Sequence, residues 1–103
     1  MEENKVLDTS IVIEAKEGLT TIFSIVEHPR ALEKAFDIIW PENADYIKAV
    51  ELMQKLYEIG KPVGGIDTLI AAMCINRNLI LVTNDKHFSY IESVDTDFKV
   101  DII

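Results

Sequence analysis

The stretch that most limits what this chain can fold into is "GGIDTLIAAMCINRNLILVTNDKHF", Gly64 to Phe88. Its first half is apolar nearly all round a helix. Ile66, Leu69, Ile70, Met73 and Cys74 make one stripe at helical spacing, and Ala71, Ala72 and Ile75 widen it, so this helix is expected to be largely buried. Asn78 suits a left-handed turn at its end. The run Leu79-Ile80-Leu81-Val82 follows, apolar at every position. A strand of that kind is covered on both faces, which is the habit of parallel sheets. Helix packed on buried strand, repeated along the chain, predicts a layered α/β fold with a mostly parallel sheet.

The remaining segments extend that pattern. "KVLD" (5–8) reads as a short strand ending in an acid, and Ser10 as the cap of a short helix before Gly18. "TTIFS" (20–24), β-branched and aromatic, reads as the second strand. Ser24-Ile-Val-Glu27 has capping-box spacing, which predicts a helix starting there and running through "RALEKAFDI", with Pro29 near its first turn. Trp40 is expected to be at least half buried. Asn43 is a plausible cap for a helix whose Tyr46, Ala49, Val50, Met53 and Tyr57 share one face, and Gly60 and Pro62 end it. That stripe reads as core or as a dimer interface. "DKHFSYI" reads as a short helix and "KVDII" as a last strand.

Length and composition bound the rest. At 103 residues one domain, 1–103, is the natural count. A chain this long buries roughly 60–68% of its unfolded surface, enough for one modest core. With 49% hydrophobic and 27% charged residues it is not a disordered composition. Cys74 is the one cysteine, so no internal disulfide is possible, and a reducing, cytoplasmic setting is expected. "MEENKVLD" lacks the apolar stretch of a signal peptide, and no apolar run reaches the roughly 20 residues that span a bilayer, so no membrane association is expected. The net charge of −8 disfavours non-specific nucleic-acid binding unless local acids recruit a divalent cation that bridges to phosphate.

Four acids stand out by position. In a parallel sheet, strand tips and helix starts face the carboxyl edge, where sites form. Asp8 and Asp85 are read at strand tips, and Glu27 and Asp67 in first turns of helices, at spacings of 19, 40 and 18 residues. Singly, each has a plain structural use as a cap or a partner for the helix dipole, worth about 0.3–1 kcal/mol. Together they repel. Two unit charges about 4 Å apart cost about 4 kcal/mol at an effective dielectric of 20, so such a cluster must take up protons or a cation. Oxygen donors favour Mg²⁺ or Mn²⁺, and isolated His28 and His87 give no zinc pattern. Arg30, Lys34, Arg77 and Lys86 are candidate phosphate contacts, each equally explained as a solvated surface charge.

On these residues the sequence resembles the PIN domain family, and within it the small VapC-like ribonuclease toxins. "VLDTS" resembles the first motif, with Asp8 as the first acid. "TIFSIVEHPRA" resembles the segment carrying the second, here Glu27. "GGIDTLIAAMCINRNLILVTNDKHF" resembles the long C-terminal signature, with Asp67 and Asp85 as third and fourth. The resemblance implies a three-layer α/β/α fold. It also implies an endoribonuclease whose Mg²⁺ or Mn²⁺ is held by Asp8, Asp67 and Asp85, with Glu27 as ligand or as orienter of the attacking water. Ser10 and Thr83 would hydrogen-bond the acids or the metal's waters, or serve as local caps. RNA as substrate and a cognate antitoxin follow from the same likeness; a homodimer is expected because apolar surface left exposed by the shortened N-terminal half favours self-association, for which a two-fold dimer is the default. The chain departs from it in length: 19 residues separate Asp8 from Glu27, where the family commonly carries a longer helical region. An alternative is therefore a catalytically impaired PIN-like scaffold acting as a protein- or RNA-binding module. Two other acidic α/β classes fit poorly. A haloacid-dehalogenase-like phosphatase needs Asp-x-Asp where Ser10 stands, and a receiver domain needs Lys-Pro after its last core strand, whereas Lys61-Pro62 precedes the buried one.

Overall fold

The computed structural model describes residues 4–103. Five parallel strands form its sheet: β1 Lys5–Leu7, β2 Glu17–Thr21, β3 Ala35–Ile39, β4 Ile80–Thr83 and β5 Lys99–Ile102, in the order β3-β2-β1-β4-β5. The helices are α1 Thr9–Val12, α2 Ile22–Glu27, α3 Asn43–Glu58, α4 Gly65–Asn76 and α5 Phe88–Val94, with a 3-10 helix over Pro29–Glu33.

Alternation along the strands gives the sheet two apolar faces. Val6 and Leu81 join Leu52, Leu56, Ile70, Cys74, Phe88, Ile91 and Phe98 in the main core beneath α3, α4 and α5. Leu7, Phe36 and Ile38 turn the other way, onto Val12, Ile25 and Ala31 of α1, α2 and the 3-10 helix. The result is three layers, α/β/α, around a parallel sheet: the strand and helix pattern predicts a layered α/β fold, and the family likeness the three layers. α4 is buried from Thr68 through Cys74, and burial pushes the Cys74 thiol up to about 12, the state of an inert core residue. Asn78 takes the left-handed conformation (φ 54°) after that helix, and Gly60 does so (φ 71°) after α3. No helix among the described residues is long and apolar enough to cross a membrane.

The strand order carries the functional consequence. From β1 the chain moves outward to β2 and β3; it then returns to β4 and moves outward the other way to β5. The direction reverses between β1 and β4, whose carboxyl ends flank the crevice where open α/β sheets bind ligands.

Several local expectations are overturned, each for a visible reason. β2 runs Glu17–Thr21, three residues before the expected "TTIFS" strand. Gly18 adopts φ 142° with its α-carbon against the Leu7 side chain, a placement a side chain could not share comfortably. Thr21 then caps α2 by accepting from the Ser24 backbone N–H (3.4 Å), so the helix begins at Ile22 despite its β-branched residues. Ser24 is therefore not the cap, and Glu27 falls in the last turn of α2 rather than the first turn of a helix. No helix continues through "RALEKAFDI" either. Pro29 opens the 3-10 turn, and Phe36 and Ile38 alternate into the second core as strand β3. Ser10 lies inside α1 and does not cap it; Asp8 holds the N-cap position.

Trp40 is 61% exposed. On α3 the expected stripe faces outward at Tyr46, Val50 and Tyr57, while Leu52 and Leu56 fill the core. The helical period was right and the face was rotated, because an acid, Asp45, takes an inward position. Asp45 also completes a capping box with Glu42, displacing Asn43 from the expected cap. Its carboxylate receives Asn76 Nδ2 (2.9 Å) and Arg77 Nη1 (2.9 Å) and Nη2 (3.0 Å). Arg77 is thus committed to pinning α3 to α4 and is not a free phosphate contact. Lys34 is occupied as well, donating to the carbonyls of Val12 (3.3 Å) and Ile13 (3.0 Å) at the end of α1.

Candidate active site

Asp8 and Asp85 mark the two sides of the switch point. The Asp8 backbone N–H donates to Val82 O (2.9 Å), extending the β1-β4 ladder by one residue beyond Leu7↔Val82. Its side chain makes no capping hydrogen bond to α1 and accepts instead from Thr83 Oγ1 at 2.7 Å. The same Thr83 oxygen accepts the Asp85 backbone N–H at 3.0 Å. Thr83 is fully buried. One hydroxyl thus fixes the Asp8 carboxylate and the backbone that carries Asp85, across the reversal of the sheet.

Asp85 accepts the His87 backbone N–H on Oδ1 (2.9 Å), with His87 Nδ1 also 2.9 Å from that oxygen. The backbone bond, opposed by partial burial and aided by the ring, holds the Asp85 carboxyl below its ordinary value. His87 is largely exposed and Phe88 is core, as their sequence positions suggested.

Asp67 is in the first turn of α4, where the helix dipole favours an anion. Its carboxyl is nevertheless pushed above its ordinary value. Burial contributes most, followed by the negative charges of Asp8, Asp85 and Glu27, with His87 opposing. The charges of Asp8, Asp85 and Glu27 thus lie within electrostatic reach of Asp67. Asp67 also lines, with Glu27, Phe23, Val26 and Ile66, a cavity of about 360 Å³.

Glu27 reaches that place from the C-terminal turn of α2, an end whose dipole disfavours an anion. It is exposed, and Thr9 Oγ1 lies 3.0 Å from its Oε1. The same Thr9 oxygen lies 3.0 Å from Ser24 Oγ. Sequence reasoning missed Thr9 and Ser24. The signal was there in "DTS", where attention to Ser10 obscured its neighbour. Ser10 Oγ makes no hydrogen bond to any of the four acids; it is buried with no partner, beside a cavity of about 590 Å³ that Glu14 and Asn84 also line.

The donor set of the four acids is all carboxylate oxygen, which fits a hard divalent cation. Among the described residues no group of three or more His, Cys, Asp or Glu is placed so that it could hold a metal ion. Mg²⁺ is commonly held by only one or two carboxylates, its other positions going to water and substrate phosphate. The uncompensated repulsion on Asp67 is what such a cation relieves.

A family model for the PIN domain matches residues 24–94. No curated protein matches the chain. Among solved structures, the chain resembles the VapBC2 complex of Rickettsia felis bound to a DNA fragment from its promoter, with a TM-score of 0.75 and 19% identity over 95% of this chain and 97% of that one. DNA-bound VapBC from Salmonella typhimurium gives a TM-score of 0.73 at 16% identity, covering 98% of each chain. VapBC-5 from Mycobacterium tuberculosis, a member of the VapBC family of toxin-antitoxin systems, gives 0.71 at 21%, covering 99% of this chain and 98% of that one. At these identities the likeness is one of fold.

Proposed function

The chain belongs to the PIN domain family, and on that premise we propose that it is a metal-dependent endoribonuclease, the toxin of a toxin-antitoxin pair, formed by residues 1–103 as a single domain. The observation that carries the proposal is the raised carboxyl of Asp67, pushed up by burial and then by the charges of Asp8, Asp85 and Glu27. A fold gains nothing in stability from gathering four carboxylates at a sheet's switch point; a cation-dependent phosphodiesterase needs them there.

In this reading Asp8, Asp67 and Asp85 hold Mg²⁺ or Mn²⁺, with Glu27 as a fourth ligand or as the acceptor that orients the attacking water. When bound, the cation supplies Lewis acidity toward the phosphodiester and offsets the protein's own negative charge. Thr83 keeps the Asp8 carboxylate aimed at the site through its 2.7 Å hydrogen bond. His87, bonded to Asp85, limits the freedom of the fourth acid. Exposed Lys86 and Arg30 remain available to meet the RNA backbone.

Structural neighbours include a member of the VapBC family of toxin-antitoxin systems and a toxin-antitoxin complex from Klebsiella pneumoniae, which supports a cognate antitoxin that covers the acidic crevice. A homodimer is proposed through the outward face of α3, and the cytoplasm as the compartment. One observation favours a second reading, a PIN-like scaffold that binds without cutting: the acids do not form a closed metal-binding set. Cleavage decides between the two. A mixed single-stranded RNA pool is incubated with wild type and Asp8→Asn, with Mg²⁺ or Mn²⁺ and with EDTA. The nuclease reading expects metal-dependent cutting that disappears in Asp8→Asn; a folded, antitoxin-free wild type that cuts under no metal leaves the scaffold.

A further inference from the structure

We propose that Thr9 and Ser24 are positioning residues, forming a hydroxyl relay that holds the Glu27 carboxylate at the site. The inference rests on the reading of the four acids as a cation-dependent nuclease centre.

The geometry comes from two helices that meet beside β1. Thr9 is the first residue of α1, directly after Asp8, and Ser24 and Glu27 share α2. Thr9 Oγ1 lies 3.0 Å from Ser24 Oγ and 3.0 Å from Glu27 Oε1. A hydroxyl carries one proton, and a carboxylate can only accept. With Glu27 ionised, the Thr9 proton therefore goes to Oε1. The Ser24 proton must then go to Thr9 Oγ1. The order Ser24 → Thr9 → Glu27 is the one arrangement that satisfies both contacts at once. Ser24 is buried at 1% exposure, so its end of the relay is fixed by packing and by its backbone bond to Thr21.

Glu27 needs such a hold more than the other acids. It stands on an exposed side chain in the last turn of a six-residue helix, where the dipole opposes its charge. Asp8 has Thr83, Asp85 has His87, and Asp67 has a first helical turn. The relay supplies the missing restraint, and because Thr9 adjoins Asp8 in the chain it ties the second acid to the first. Hydrogen bonds to ligating or reacting carboxylates from a second layer of residues are worth roughly 10–100-fold in metal affinity or activity.

The test uses Thr9→Val, which keeps the shape and loses the hydroxyl, Thr9→Ser, which restores it, and Ser24→Ala, all compared with Glu27→Gln. Two quantities are read: Mn²⁺ affinity by calorimetry, which needs no turnover, and steady-state RNA cleavage. Thr9→Val is expected to move both in the same direction as Glu27→Gln, with kcat lower by roughly tenfold and KM nearly unchanged. Ser24→Ala is expected to give a smaller loss and Thr9→Ser to recover most of the activity. Adding Thr9→Val to Glu27→Gln should cost little more than Glu27→Gln alone. Wild-type values for Thr9→Val, or a double mutant whose losses add in full, overturn the relay. A wild type that binds Mn²⁺ without cutting RNA sinks the nuclease reading while the binding comparison still judges the relay; a wild type that does neither removes both.

Discussion

Replacing Asp45 by Asn tests the claim that Arg77 serves the fold and not the RNA. Asp45 is 1% exposed and Arg77 21% exposed at their side chains. Both Asp45 oxygens are used: Oδ1 accepts from Asn76 and Arg77 at 2.9 Å each, and Oδ2 accepts from Glu42 N at 2.7 Å and Arg77 Nη2 at 3.0 Å. Asparagine puts an N–H₂ where one oxygen stood, facing donors, and leaves the guanidinium without its counter-charge. Breaking a buried pair in this way costs about 3–5 kcal/mol. Arg77 keeps some solvent and a bond to Glu42 (3.0 Å), which lowers the expectation to about 2–4 kcal/mol. For a chain near 100 residues that is a fall in Tm of roughly 10–25 °C. The acid limb should change too. Burial pushes the Asp45 carboxyl up, but hydrogen bonds from Arg77, the Glu42 backbone and Asn76 outweigh it, and the folded value lies below 3.8. Asp45 thus adds stability that is fully present above 3.8 and is lost as pH falls through the lower, folded value; Asp45→Asn should lack that part of the acid sensitivity. Thermal melts and urea titrations followed by circular dichroism read both effects. A loss under about 0.5 kcal/mol, with the salt dependence of RNA binding reduced in Arg77→Gln, would refute the reasoning and return Arg77 to the phosphate contacts.

Two further outcomes are expected. Asp67→Asn should raise the metal-free Tm by a few degrees at pH 7 and not at pH 3. The Asp67 carboxyl is raised above 3.8 in the fold, so its contribution is favourable below 3.8 and is lost as pH rises through the folded value; equal melting of both proteins at pH 7 would mean that the four acids do not repel. Val50→Glu, on the outward face of α3 where Val50 is 61% exposed beside an apolar cavity of about 350 Å³, should convert a dimer to a monomer in sedimentation experiments. A wild type already monomeric at tens of micromolar would remove that face as the dimer interface.

How much was legible follows from which forces were local. α4 and β4 could be read because burial governs most of their side chains, Thr68–Cys74 and Leu81–Thr83, although Ile66 of the expected stripe is 50% exposed, and the turn at Asn78 is a backbone preference written into one residue. A layered fold with a parallel sheet followed from strands alternating with helices, and its three layers from the family likeness. The segment from Glu17 to Ile39 could not be read the same way. There a threonine cap, a glycine at positive φ and strand pairing of Phe36 and Ile38 with β2 outweigh β-propensity and an apparent capping box. The face of α3 was misjudged because the desolvation of a buried Asp45 is offset largely by Arg77 and Asn76, which lie 32 and 31 residues away in sequence. At the site, the positions of the acids were legible from strand ends and helix starts, although Glu27 arrives from the wrong end of its helix. Of the hydroxyls that hold them, Thr83 was named from the family likeness and does meet Asp8, across 75 residues, whereas Thr9, which meets Glu27 across 18, was not, and Ser10 bonds none of the acids.

The most direct test of the central claim, that these acids form one cation site, is a calorimetric titration of Mn²⁺ into wild type and Asp8→Asn at pH 7. Saturable binding by wild type, weakened at least tenfold in a folded Asp8→Asn, is the expected result. Equal affinity in the two proteins, or no binding by wild type, would contradict it and leave the carboxylates as separate caps and surface charges.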